Sequence, residues 1–102
     1  MAYLVDILIP YDAKISAAGY DETKQELVDQ FGGVTLSVSS PAEGLWQSDQ
    51  ETGGDIEKDQ IIIAQIMVDA LDRVWWIAYR KTLEDRFNQD EILIRATAIE
   101  KL

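Results

Sequence analysis

The chain has 102 residues, 47% of them hydrophobic and 27% charged, enough for one domain with its own core. Its 19 acidic residues against 9 basic ones give a formal charge of −10, with neither His nor Cys. Zinc sites of the usual kind, thiol nucleophiles, CxxC redox pairs and Ser-His-Asp triads are thereby excluded within one chain, and clustered cations for a nucleic-acid backbone are missing.

The first element is the β-rich run Tyr3-Leu4-Val5-Asp6-Ile7-Leu8-Ile9, expected to end at Pro10 because proline cannot donate to a continuing ladder. After a connection over residues 11–15, Tyr20, Thr23, Lys24, Leu27, Val28 and Phe31 recur at helical spacing, with Ser16 or Asp21 as alternative caps and Gly32-Gly33 as the stop. Val34-Thr35-Leu36-Ser37-Val38-Ser39 alternates apolar and small polar residues, the pattern of a strand with one buried face, and Pro41 ends it.

Residues 42–58 read as an acidic hairpin arm with its turn at Gly53-Gly54. Between 49 and 59 lie Asp49, Glu51, Asp55, Glu57 and Asp59 against Lys58 alone, so much of the negative charge sits there. The run Asp49–Gln60 partly matches an EF-hand loop, but it has Gly at position five and Gln at position twelve, and it lacks flanking helices. No metal is expected. The glycine pairs read as a helix stop and a turn rather than a phosphate cradle.

Gln60-Ile61-Ile62-Ile63-Ala64-Gln65-Ile66-Met67-Val68 is the strongest strand signal. The period then changes: Asp72, Trp76, Tyr79, Leu83 and Phe87 form one helical stripe with Asp72 as N-cap, and Asn88-Gln89-Asp90 ends the helix. Ile92–Ile99 is the fourth strand.

The order β-α-β-β-α-β predicts an α+β, ferredoxin-like single domain over 1–102: a four-stranded antiparallel sheet in the order 4-1-3-2 with two helices on one face. The other face should then be polar, yet Ile61, Ile63, Met67 and Leu93 fall on it together with Leu4 and Leu8. Such a patch marks an interface or ligand groove. A second copy packed face to face, giving a dimeric α+β barrel, covers it most simply; the hairpin arm folded back over the sheet is the alternative.

Asp6 lies in the middle of a central strand, and a buried acid needs partners. In this strand order they are Gln65 and Arg95, so an Asp6–Arg95 pair beside Gln65 is expected, either as a structural ion pair or as the lining of a ligand cavity. Trp75 points off the core stripe as a candidate interface anchor, and Trp46 in the arm is the aromatic residue best placed to grip a ligand or partner. No catalytic residue can be singled out.

An acid within the first apolar run argues against a signal peptide, and no apolar stretch reaches the length of a membrane span, so a cytoplasmic location is expected. The segments Tyr3–Pro10, Phe31-Gly32-Gly33-Val34-Thr35, Glu43-Gly44-Leu45-Trp46 and Phe87–Ile92 together resemble a group of short bacterial proteins without an established activity, over nearly the whole chain. At fold level the chain is similar to the dimeric α+β barrel superfamily, which includes cofactor-free monooxygenases, chlorite dismutase-like haem proteins and small stress-response proteins. That resemblance implies a homodimer; a haem role would lack its usual His ligand. The expectation is a non-enzymatic module binding a small molecule or a basic protein partner, with no cofactor, nucleic acid or membrane. A cofactor-independent enzyme using Asp6, Arg95 and Trp46 between two sheets is the alternative.

Overall fold

The computed structural model describes residues 2–11, 17–39 and 60–102. Its elements run β1 (Ala2–Tyr11), α1 (Ala17–Phe31), β2 (Thr35–Ser39), β3 (Gln60–Val68), α2 (Arg73–Arg86) and β4 (Leu93–Ile99). Trp46, Ser16, the arm expected at 42–58 and the calcium-like run up to residue 59 lie outside the described residues.

The four strands form one sheet in the order β2-β3-β1-β4, which is the expected 4-1-3-2 counted from the opposite edge. All three neighbouring pairs are antiparallel, so β1 and β2 run parallel to each other, as do β3 and β4. Each parallel relation is bridged by one helix, the connection such a pair requires. Register follows the hydrophobic pattern: Val5 stands between Ile66 and Ala96, and Ile7 between Ala64 and Ile94.

That register sends Val5, Ile7 and Ile9 of β1 and Ala64, Ile66 and Val68 of β3 to the same face. There they meet Leu27 of α1 and Trp76, Tyr79 and Leu83 of α2, with Phe87 and Ile92 closing the cluster. Both helices therefore cover one side of the sheet. Each large side chain buried here contributes about 1.5–3 kcal/mol relative to exposure. Leu36 and Val38 point to the same side but remain 43% and 64% exposed, because β2 is an edge strand and the packed cluster stops short of it.

The helix ends obey local chemistry. Asp72 is the N-cap of α2, its carboxylate accepting the Trp75 N–H at 3.1 Å. Gly32 takes φ +88°, and its N–H donates to the Val28 carbonyl at 2.7 Å, so α1 stops where a side chain would be strained. Asn88 adopts φ 54° after α2, a left-handed position that asparagine tolerates. The Ile92 N–H then donates to Glu84 Oε2 at 3.1 Å and aims the chain into β4.

β2 and β4 each begin one residue later than expected, at Thr35 and Leu93, and the end of β1 differs more. β1 continues through Pro10 to Tyr11, with Pro10 opposite Ile61. Its pairing with β4 ends at Leu8, so no described strand pairs with that side of β1 at Pro10, and a missing N–H is tolerated there. The Pro10 carbonyl is used instead, accepting the Tyr20 hydroxyl of α1 at 3.2 Å.

Candidate functional site on the open sheet face

The face away from the helices carries Leu4 and Leu8 from β1, Ile61, Ile63, Gln65 and Met67 from β3, and Leu93, Arg95, Thr97 and Ile99 from β4. Leu4, Leu8, Ile61 and Ile63 are half-buried, whereas Met67 and Leu93 are 51% and 50% exposed. Thr35 and Ser37 add a polar margin along β2. The face is thus apolar over its two central strands and one flank.

At its centre sits Asp6, directly opposite Gln65 on one side and Arg95 on the other. Gln65 Nε2 donates to Asp6 Oδ1 at 2.9 Å, and Arg95 Nε donates to Oδ2 at 3.2 Å. Each carboxylate oxygen has its own donor, which is how an acidic side chain only 12% exposed is accommodated. The Arg95 side chain is 56% exposed, and its two terminal amino groups have no partner among the described residues. Chemically the trio offers a fixed guanidinium edge, aimed outward and ringed by apolar side chains. It contains no second acid or free base to share a proton.

Ile61, Ile63, Met67 and Leu93 therefore lie on one surface with Asp6, Gln65 and Arg95. Trp75 does not. It belongs to the helical layer, half-buried, with its ring edge-on to Phe31 at 5.2 Å and stacked on Tyr79 at 4.8 Å. Trp76 completes this group, stacked on Phe31 at 5.2 Å. Trp75 is off the core stripe, but the adjoining helix takes it up.

A second polar cluster, between the helices, escapes a reading of the sequence. Arg86 near the end of α2 grips Glu26 of α1 with Nη1 at 2.9 Å from Oε1 and Nη2 at 2.8 Å from Oε2. Its Nη1 also donates to Thr23 Oγ1 at 2.7 Å, and Glu22 lies 3.4 Å from Nε. The Tyr79 hydroxyl donates to Glu26 Oε1 at 2.9 Å. The Arg86 hydrogen bonds hold Glu26 below the usual carboxylate range, reinforced by Tyr79 and opposed by burial. Burial, then the hydrogen bond to Glu26, pushes the Tyr79 phenol above its ordinary range. Arg86 is raised chiefly by its bond to Glu26. The signal was present as Glu22, Thr23 and Glu26 on one helical face, with Tyr79 and Arg86 seven residues apart on the other helix.

Among the described residues no group of three or more acids is placed to hold a metal ion, and no helix is long and apolar enough to cross a membrane. Comparison of the chain with protein-family models, curated proteins and solved structures finds no match.

Proposed function

We propose that the protein is a ferredoxin-like, homodimeric binding module in which two copies pack their open sheet faces together as a dimeric α+β barrel, and that Arg95 receives an amphipathic anion between them. The observation that carries this reading is the position of the Asp6–Gln65–Arg95 trio at the centre of a mostly apolar face. An apolar surface of this extent favours a cover, and the partner's equivalent face is complementary to it by symmetry. Asp6 occupies Arg95 through Nε only, which leaves the planar end of the guanidinium for a carboxylate or similar group. A cofactor-independent enzyme has less support, because the trio has no neighbouring group to exchange a proton with.

Sedimentation equilibrium and titration with decanoate, an apolar carboxylate, test the two halves of the proposal. The expected result is a dimer that dissociates on Met67→Glu and binds decanoate at a site abolished by Arg95→Met. A dimer indifferent to Met67→Glu overturns the face-to-face arrangement. Decanoate binding that survives Arg95→Met overturns the site.

A further inference from the structure

Among the described strands, β4 has a neighbour on one side only. Its seven residues, Leu93–Ile99, pair with β1 along one edge and leave the other edge's backbone N–H and carbonyl groups unpaired by any described strand. Proteins commonly blunt such an edge with proline, bulges, lysine or inward-pointing charges. β4 has no proline, and its single charge, Arg95, is drawn by its Nε toward Asp6 on β1. Ala96 and Ala98 are exposed, and Leu93 is 50% exposed.

The sequence of this edge is complementary to itself. When two copies of a strand pair antiparallel about a two-fold axis, opposing residues must point to the same face, so each step of register moves the centre by one residue. Centred on Ala96, all seven residues pair: Leu93 opposite Ile99, Ile94 opposite Ala98, Arg95 opposite Thr97, and Ala96 opposite itself. One step toward the N-terminus sets Arg95 against Arg95. One step toward the C-terminus sets Ile94 against Glu100 and leaves Leu93 beyond the partner's strand. Only the Ala96-centred register keeps like charges apart and apolar residues together.

The helical side supplies a second fit. A groove of about 380 Å³ runs between β4 and α2, lined among others by Leu71, Trp76, Ile77, Ile94, Ala96 and Ala98. The two alanines keep the strip beside the edge open. In the same register the partner's Ile94 lies across from Ala98, where it can fill that strip.

We propose that β4 is a self-pairing edge, joining two copies into a continuous eight-stranded sheet centred on Ala96, with the helices of both copies on the same side. This contact is independent of the face-to-face packing above, since it uses the edge and leaves the open face available. If both form and their two-fold axes meet at right angles, the particle is a tetramer.

The test is a charge swap at the two-fold axis. Ala96 is exposed, so Ala96→Glu and Ala96→Lys leave the protomer's own packing intact, which circular dichroism checks. Each variant alone places like charges opposite each other, and the expected native mass is half that of the unmodified protein. Mixing the two is expected to restore the original mass as a hetero-pair. A monomeric unmodified protein, an unchanged mass for both single variants, or a mixture that fails to recover overturns the proposal. If Met67→Glu dissociates the protein and the Ala96 variants do not, the edge is unused and the face-to-face dimer stands; the converse keeps the edge and removes the face.

Discussion

Arg86 and Glu26 form a two-pronged pair across the helix layer, with both guanidinium amino groups within 2.9 Å of separate carboxylate oxygens. α1 and α2 lie over the same sheet face, yet their sequences are joined only through β2 and β3. The pair fixes their spacing at one end, while the stack of Phe31 on Trp76 fixes it on the aromatic side. Arg86 has 13% of its side chain exposed and Glu26 38%, so the bond is partly shielded from solvent.

Arg86→Ala is therefore expected to destabilise the fold by about 2 kcal/mol, because Thr23 and Glu26 both lose a shared donor and the carboxylate is left with the Tyr79 hydroxyl alone beside it. Urea unfolding measures this. A loss within about 0.5 kcal/mol, the range of an ordinary surface substitution, contradicts the shielding assigned to the cluster.

The same cluster sets a pH dependence with opposite signs at its two ends. Glu26 is held below its ordinary 4.5, so its contribution is complete above that value and is lost as pH falls through the lowered one. Tyr79 is held above its ordinary 10.0, so its contribution is complete below pH 10 and is lost as pH rises further. Tyr79→Phe is expected to flatten the alkaline limb of the urea midpoint plotted against pH and to leave an acid limb in place. An alkaline limb unchanged by the substitution assigns that loss of stability to other groups.

Asp6→Asn replaces one acceptor oxygen with a donor, which can satisfy Gln65 or Arg95 but not both in the present geometry. Arg95 is exposed and can turn to water, so the expected cost is about 1–2 kcal/mol rather than that of a fully buried broken pair. Thermal unfolding reads this loss. If the variant is as stable as the parent protein, the trio does not brace the sheet.

Much of the architecture is visible in the sequence because a period of two leaves little freedom. Once Val5, Ile7 and Ile9 face the helices, Leu4, Asp6 and Leu8 must face away. The strand order then brings Gln65 and Arg95 beside Asp6. The Glu26–Arg86 cluster was not legible in the same way, since periodicity identifies a face of each helix but does not fix how two helices are rotated and spaced against each other. Trp75 shows the same limit: its angle from the core stripe is readable, but its contact with Phe31 depends on where α1 lies. Pro10 signals a strand end in the sequence, but the early departure of β4 from β1, which lets the strand pass through it, is a property of the pairing and not of the proline.

β1 lies between β3 and β4, and so the first of these four strands to be made waits for one neighbour until the last of them has been made. Asp6 and Arg95 are 89 positions apart in the chain. At a synthesis rate of roughly 5–20 residues per second, about 4–18 seconds separate the two on the ribosome. During that time α1, β2, β3 and α2 are made, but the sheet lacks β4 beside β1 and Asp6 has no guanidinium. Long-range pairing of this kind slows folding and leaves the apolar first strand exposed meanwhile. The order of strands in the sheet thus postpones closure of the fold until β4 has been made, and it makes any product truncated before residue 93 a chain with an unfinished, aggregation-prone core strand.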